Sequence, residues 1–182
     1  MFYVWSEANH LNNHSEKIRL ENIKDLYDYK MTIPERIVGS FPLLRFRSEG
    51  NFEIPDYFKY GVLFIVSDRL KSIIEKYCTE LQVFEVDFEH NGKPLDYFVI
   101  HLLDDVDFIS EKESGAVLED NGYIEEIERL VIDESKIADK NLITTGKYLA
   151  HLVIVSEELK DDISASGCVG VRFVQPGSYV PW

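Results

Sequence analysis

The amino-acid sequence predicts an α+β fold, built mainly from antiparallel sheet with two short helices that begin at serine caps. Two apolar runs, residues 62–66 and 149–155, are each followed by a serine, acidic residues and apolar residues at helical spacing. This is the pattern of a buried strand followed by a capped helix. Asn91-Gly92 lies between two strand-like runs and predicts an antiparallel hairpin, because both turn residues tolerate positive φ.

Length and composition favour a single domain over residues 1–182. Hydrophobic residues make up 45% of the chain and charged residues 29%, as in ordinary globular proteins. Cys78 and Cys168 lack the paired spacing of a zinc site, so we expect two free thiols in a reducing compartment. The N-terminal residues do not resemble a signal peptide, and no apolar run reaches the roughly 18 residues of a membrane span. We therefore expect a cytoplasmic protein.

Charge is the most unusual property of the composition. The chain carries 33 acidic and 19 basic residues, a formal net charge of −14. Such a charge repels the phosphates of nucleic acid and the anionic surface of a membrane. The sequence therefore predicts neither a nucleic-acid-binding nor a membrane-binding protein. An excess of acidic residues first of all favours solubility, and secondly favours binding to a basic protein partner.

The first third of the chain predicts few regular elements. Residues 2–5 are apolar enough for a short strand, and residues 9–15 are polar and predict a loop. The second half of residues 16–29 has weak helical spacing. Residues 43–46 predict a further strand.

The middle of the chain predicts a strand, a helix and a hairpin in turn. The strand at 62–66 ends at Ser67, whose hydroxyl is suited to cap the helix that follows. Residues 83–89 alternate between apolar and acidic side chains, as in a strand with one wet face. The return strand after the Asn91-Gly92 turn, residues 97–103, is almost wholly apolar and is expected at the centre of its sheet.

Residues 104–139 form what we call the acidic segment. It has thirteen acidic and three basic side chains and therefore holds −10 of the chain's net charge of −14. Its part at 110–122 predicts a long loop or a loose hairpin, and residues 127–132 are apolar enough for a strand. After the strand at 149–155, Ser156 caps a helix that Gly167 is suited to end, and residues 169–174 predict a last strand.

Two parts of the chain resemble each other at an offset of 89 residues. Seven of twelve positions are identical between residues 63–74 and 152–163. Each part is the strand, cap and helix of a β-α-β unit. An internal duplication and local convergence explain this equally well, since strand-cap-helix chemistry favours these residue types. Two copies are too few for a solenoid.

The residues that could carry catalysis do not form a recognisable motif. Ser67 and Ser156 follow strands without the flanking glycines of a nucleophile elbow, so we interpret both as helix caps. His101 and His151 lie in apolar strands and are expected in the core. His10 and His14 lie in a polar loop and lack the intervening glutamate of a metalloprotease motif. No glycine-rich phosphate-binding motif is present, and the sequence predicts no cofactor.

The acidic segment leaves alternatives of other classes open. Asp104, Asp105 and Asp107 directly follow a buried strand, and clustered carboxylates can hold Mg²⁺ or Ca²⁺. An uncharacterised metal-dependent enzyme is therefore one alternative, although no complete ligand spacing is present. A structural or regulatory interaction module is another. As a whole, the segment is typical either of a solvated surface or of a docking face for a basic partner.

An ordered series of short motifs resembles a known family. The series is Pro55-Asp56-Tyr57-Phe58, Ile65-Val66-Ser67-Asp68-Arg69-Leu70, Leu102-Leu103-Asp104, Arg129-Leu130-Val131-Ile132-Asp133, Val155-Ser156-Glu157-Glu158-Leu159 and Gly170-Val171-Arg172-Phe173. It resembles the predicted immunity proteins of bacterial polymorphic toxin systems, a group first described as a domain of unknown function and typified by a myxobacterial protein. The resemblance covers residues 55–176, and residues 1–50 are less distinctive.

The resemblance implies a non-enzymatic protein that binds and neutralises a cognate toxin, and it brings no catalytic residues with it. Nuclease toxins carry basic surfaces that hold phosphates, so an acidic inhibitor would suit such a toxin. We therefore predict that the acidic segment binds the toxin. The expected toxin-binding residues are Asp104, Asp105, Asp107, Glu111, Glu113, Glu119, Asp120, Tyr123, Glu125 and Glu126.

Overall fold

The structure is a computed structural model that describes residues 1–8, 17–29, 31–148 and 152–180. The predicted loop at 9–15, with His10 and His14, and the predicted core residue His151 lie outside the described residues. The described strands are β1 (Phe2–Glu7), β2 (Ile18–Leu20), β3 (Leu44–Ser48), β4 (Tyr57–Tyr60), β5 (Leu63–Ser67), β6 (Leu81–His90), β7 (Lys93–Leu95), β8 (Tyr97–Leu102), β9 (Val117–Leu118), β10 (Ile124–Glu126), β11 (Leu142–Thr144), β12 (Val153–Ser156) and β13 (Val171–Val174).

The described helices are short. The α-helices are α1 (Asp68–Tyr77), α2 (Glu111–Ser114) and α3 (Glu157–Ala165), and 3-10 helices lie at Ile23–Leu26, Glu134–Lys136 and Pro176–Ser178. None of the helices in the described part of the chain is both long enough and apolar enough to cross a membrane. Strands in mixed sheets with few helices confirm the predicted α+β class.

Two main sheets make up the fold. The first has the strand order β2-β3-β6-β8-β5-β4, with β7 also paired to β6, and the second has the order β11-β12-β1-β13. Every pairing in them is antiparallel except that of β3 with β6. The predicted Asn91-Gly92 turn joins β6 to β7 with positive φ at both residues. Strand β8 lies between β5 and β6 as predicted.

The two main sheets contain the same four-stranded unit. In the first sheet, β4-β5-β8-β6 are antiparallel neighbours and α1 joins β5 to β6. In the second sheet, β11-β12-β1-β13 are antiparallel neighbours and α3 joins β12 to β13. Each unit is thus a β-α-β unit whose two parallel strands are separated by one antiparallel strand. Shared strand order favours duplication over local convergence, because a similar helix cap does not determine which strand enters between the two.

The two units also share an equivalent contact between a lysine and an aromatic ring. Lys71 Nζ lies 5.0 Å from the centre of the Phe98 ring in the first unit. Lys160 Nζ lies 4.8 Å from the centre of the Tyr3 ring in the second. The two lysines are 89 residues apart, and their aromatic partners lie on β8 and β1, the middle strands of the two units.

Both serine caps form as predicted. Ser67 Oγ accepts a hydrogen bond from Leu70 N at 3.3 Å, and Ser156 Oγ accepts one from Leu159 N at 3.3 Å. Both leucines are completely buried. Gly167 follows the end of α3 with φ +71°, the left-handed conformation that suits glycine after a helix.

Each four-stranded unit has buried side chains on both of its faces. One face of each unit packs on the helices in a shared central core, which contains Val66 of β5 and Val155 of β12. The other face of the first unit is covered by the N-terminal part of the chain around Phe46. The other face of the second unit is covered by the acidic segment. The predicted core histidine His101 is 3% exposed and bonds through Nε2 to the Glu35 carbonyl oxygen at 2.8 Å.

Some local predictions were wrong. Residues 127–132 form no strand in the described chain; Ile132 makes one isolated bridge to Ile109, because the backbone at Glu128 and Arg129 instead donates to the Ser114 carbonyl oxygen. The predicted helix within 16–29 is reduced to the 3-10 helix Ile23–Leu26, and the chain before it forms β2. Strands β4 and β11 were not predicted, since three or four residues carry too little periodicity.

Candidate functional site

The acidic segment lies on the outer face of the second sheet. Its apolar side chains pack onto β1, β11 and β12 and are buried: Phe108, Ile109, Ile124, Ile127, Leu130 and Ile137. Many of the acidic residues between them are exposed. The acidic segment therefore contributes both buried core side chains and an acidic outer surface.

Carboxylates at the start of the acidic segment are bound within the molecule. Asp104 Oδ1 accepts a hydrogen bond from Lys140 Nζ at 2.8 Å, and this contact raises the pKa of Lys140. Asp105 Oδ1 accepts one from Gly146 N at 2.8 Å. These contacts attach residues 104–105 to the chain that enters and leaves β11.

Lys147 holds the next two carboxylates. Its Nζ bonds to Glu111 and lies 3.1 Å from Asp107 Oδ2, and hydrogen bonds to these two groups raise the pKa of Lys147. Glu113 accepts a hydrogen bond from Ser110 Oγ at 3.0 Å just before α2. Five of the predicted toxin-binding residues, Asp104, Asp105, Asp107, Glu111 and Glu113, therefore also have partners inside the protein.

The structure does not assemble the aspartates as a set of metal ligands. Asp104, Asp105 and Asp107 each point to a different partner, namely Lys140, the Gly146 backbone and Lys147. No group of three or more His, Cys, Asp or Glu side chains within the described residues is placed to hold a metal ion. The geometry thus offers no support for the metal-dependent enzyme alternative.

The remaining predicted residues lie on the β9–β10 hairpin. Its turn is closed by Asn121 Oδ1, which accepts from Tyr123 N at 2.9 Å, and by Gly122 with φ +84°. Ile124 attaches the hairpin to the body, because its side chain is fully buried and its backbone N donates to the Lys147 carbonyl oxygen at 2.7 Å. The turn end of the hairpin is therefore held against the body of the protein.

The hairpin combines exposed apolar and acidic side chains. Val117 is 50% exposed, Leu118 45% and Tyr123 42%. Its charged side chains are all acidic: Glu119, Asp120, Glu125 and Glu126. Exposed apolar side chains grouped within a polar surround are typical of protein interaction sites. The structure thus brings Tyr123 together with four of the predicted carboxylates on the hairpin and places Asp105 beside the hairpin turn.

A groove opens beside the turn of the hairpin. Its volume is about 680 Å³. Four parts of the chain line it: Thr32, Ile33, Pro34 and Glu35; Asp105; Asn121, Gly122 and Tyr123; and Gly146, Lys147 and Tyr148. Asp105 and Tyr123 were predicted from the sequence. Glu35, Val117 and Leu118 were not, because the signal that marks them is their tertiary exposure rather than a local pattern.

A Ser–His contact elsewhere in the molecule does not form a nucleophile and base. Ser48 Oγ lies 3.0 Å from His90 Nδ1. Asn91 Nδ2 bonds to His90 Nε2 at 3.0 Å, and the orientation of the Asn91 amide is set by its two bonds to the Gly50 backbone. An amide nitrogen only donates, so Nε2 accepts and Nδ1 carries the proton. His90 therefore donates to Ser48 and cannot take its proton in this arrangement.

Comparison with known proteins identifies the family. Residues 2–177 match the model of the immunity protein family Imm11. A search of the curated proteins finds no match. The matched range covers both four-stranded units, the acidic segment and the hairpin, and the earlier resemblance to immunity proteins is confirmed. The chain therefore belongs to the Imm11 immunity protein family.

Proposed function

We propose that this immunity protein neutralises its cognate toxin by direct, non-enzymatic binding, with the exposed β9–β10 hairpin at the centre of the contact. Family membership supports an immunity role and a toxin partner. The observation that carries the location is the grouping of Val117, Leu118 and Tyr123, each at least 42% exposed, among acidic side chains. Interfaces gain affinity from such anchors and association rate from the surrounding charge.

The charge of this surface determines the kind of toxin that we propose. The hairpin has four acidic and no basic side chains between residues 116 and 126. A basic toxin surface complements it, and a nuclease is a toxin class that needs such a surface to hold phosphates. Binding there blocks the nucleic-acid site without any chemistry by the inhibitor. A nuclease acts on cytoplasmic nucleic acid, so we also propose a cytoplasmic location for the complex.

Carboxylates 104–113 have a supporting role in this proposal. Lys147 joins Asp107 to Glu111 and its carbonyl oxygen accepts from Ile124 N directly after the hairpin turn. Residues 104–113 thus orient the hairpin and add to its negative field. They remain part of the proposed toxin-binding surface through long-range attraction, which falls off over about 10 Å at 0.1 M salt.

The experiment first looks for a toxin gene immediately upstream of this gene and then co-expresses its toxin domain with the immunity protein. A bacterial host that expresses the toxin domain alone should stop growing, and co-expression of the immunity protein should restore growth. The purified pair should form a stable complex by gel filtration. Protection without a complex, or growth arrest despite abundant folded protein, would contradict the proposal. A toxin from an unrelated system provides the specificity control.

A further inference from the structure

We propose that the groove beside the hairpin turn is a receptor for an arginine side chain of the toxin. This inference rests on the proposed function, because it names the chemistry of the partner at the same site. The groove volume of about 680 Å³ is in the range of pockets that bind small ligands and side chains. Its lining combines carboxylates, an aromatic ring and apolar walls, which is what a guanidinium group with an aliphatic stem requires.

The groove presents carboxylate oxygens that no other described residue binds. Asp105 Oδ1 is fixed by Gly146 N at 2.8 Å, while Oδ2 has no hydrogen-bond partner within the described residues. Within the same part of the chain the Glu35 side chain makes no ion pair, although its carbonyl oxygen is bonded to His101. One carboxylate is thus held in a fixed orientation and the other is free to close on a bound cation. Both favour a positively charged occupant.

The positive charge in the groove is already neutralised. Among the described residues that line the groove, Lys147 is the one basic side chain. Its Nζ is bonded to Glu111 and Asp107, and these contacts raise the pKa of Lys147. The ammonium group therefore does not compete with a guest for Glu35 and Asp105. An anionic guest, by contrast, would meet two carboxylates that have no cationic partner among the described residues.

The walls of the groove favour arginine over lysine. Tyr123 is 42% exposed and lies at the rim, while Ile33 and Pro34 form an apolar side. A planar guanidinium stacks on an aromatic ring and bonds a carboxylate through two nitrogens, whereas an ammonium does neither. Gly146 keeps the groove open, because a Cβ atom there would lie 3.2 Å from Asp105 Oδ2 and 3.3 Å from Pro34 Cδ.

The first test uses a peptide and does not require the toxin. The ¹⁵N-labelled protein is titrated with the capped tripeptide Gly-Arg-Gly and with the same peptide carrying citrulline, the neutral isostere of arginine. We expect saturable shifts of the Gly122, Tyr123, Gly146 and Lys147 amides with the arginine peptide at millimolar concentration and none with citrulline. Equal responses to both peptides, shifts elsewhere or no shift would overturn the inference.

The second test uses the toxin domain and separates this inference from the proposed function. Glu35→Gln with Asp105→Asn, and Tyr123→Ala by itself, should each weaken toxin binding about tenfold. The matched controls Glu85→Gln and Tyr27→Ala change an exposed glutamate and a tyrosine outside the groove and should leave affinity unchanged. If the wild-type protein protects and the groove variants bind equally well, the groove inference fails and the proposed function stands. If the wild-type protein does not protect, the proposed function fails and the peptide titration still decides the chemistry of the groove.

Discussion

Ser67 and Ser156 make the same pair of hydrogen bonds, each within its own four-stranded unit. Each hydroxyl accepts from the backbone N three residues later at 3.3 Å. Each also donates to the residue that precedes the neighbouring edge strand: Ser67 Oγ to Asp56 Oδ1 at 2.6 Å and Ser156 Oγ to Asn141 Oδ1 at 2.7 Å. One hydroxyl thus connects a strand end, a helix start and a second strand in each unit.

Replacing these serines compares a second bond to a neutral amide, at Ser156, with a second bond to a carboxylate, at Ser67. Ser156→Ala should lower the free energy of unfolding by about 1 kcal/mol, the usual value of a cap. Ser67→Ala should cost about 2 kcal/mol, because Ser67 also donates to a buried carboxylate and bonds to charged groups are stronger. Urea unfolding measures both values. Loss of protection against the toxin with an unchanged melting temperature would indicate chemistry at the serine and contradict the cap interpretation.

Asp56 should make stability depend on acid pH. Burial favours the neutral form, but hydrogen bonds from Arg69, Ser67 and Val169 N outweigh it, so the pKa of Asp56 is lowered. The ionised form therefore stabilises the fold at pH values above the unfolded pKa of about 3.9. This contribution is lost as the pH falls through the lower folded pKa.

Asp56→Asn tests this linkage. At neutral pH the variant should be less stable by about 2 kcal/mol, since it keeps the shape but loses the charge-assisted bonds. Below pH 4 its stability should fall less steeply than that of the wild-type protein. Thermal unfolding from pH 7 to pH 3 provides the comparison, with the exposed Asp28→Asn as the control. Parallel curves for Asp56→Asn and the wild-type protein would contradict the assignment.

Gly170 lies where the chain before β13 packs tightly against the chain at the start of β4. It has φ +96°, and a Cβ atom there would lie 2.3 Å from the Tyr57 carbonyl oxygen and 2.6 Å from Pro55 Cβ. Gly170→Ala should therefore destabilise the fold by about 4 kcal/mol or more. Gly39 is the matched control, because it has φ +97° and nothing within 4 Å of the same position. Gly39→Ala should cost only the backbone strain of about 1–2 kcal/mol. Similar melting temperatures for the two variants would show that the sheets move apart freely.

The elements predicted correctly from the sequence are those with local signals. The capped helices and the Asn91-Gly92 hairpin depend on residues within one or two turns of each other, and each formed where expected. Strands β4 and β11 depend on pairing with β5 and β12 and have little local pattern. The apolar residues within 127–132 predicted a strand, but in the structure they fill a core with an irregular backbone. Hydrophobic periodicity does not distinguish a strand from such a segment.

The sequence predicted the negative charge of the candidate site but not which side chains meet there. The sequence placed all ten predicted toxin-binding residues in one acidic segment without indicating which carboxylates have internal partners. Lys140 and Lys147, which pair with Asp104, Asp107 and Glu111, lie outside that segment. Glu35 faces the same groove as Asp105, although 70 residues separate them along the chain. Such pairings arise from the tertiary fold.

The aspartate cluster should bind divalent cations only weakly. Asp104 and Asp107 have lysine partners, and Asp105 accepts from a backbone amide, so a cation would have to displace these contacts. Calorimetric titration of Mg²⁺ and Ca²⁺ should show no stoichiometric site of micromolar affinity. A site of that strength, lost in Asp105→Asn, would restore the enzyme alternative.

The last prediction concerns the charge of the hairpin. Reversal of Glu119, Asp120, Glu125 and Glu126 to lysine should lower the rate of association with the toxin domain at least about tenfold, because complementary charge steers the encounter. Dissociation should change less, since Val117, Leu118 and Tyr123 remain in place. The wild-type association rate should fall with added salt, because exposed charges are screened beyond about 10 Å at 0.1 M.

A second four-site reversal separates local charge from total charge. Glu21, Asp28, Glu49 and Glu53 are exposed acids in the first 55 residues, and their reversal changes the net charge of the protein by the same amount. If steering comes from the hairpin, this control should retain most of the wild-type association rate and its salt dependence. Equal losses in both variants would assign the effect to net charge alone. An unchanged rate in the hairpin variant would move the interface away from the hairpin, because like charges so closely grouped must dominate any encounter at that surface.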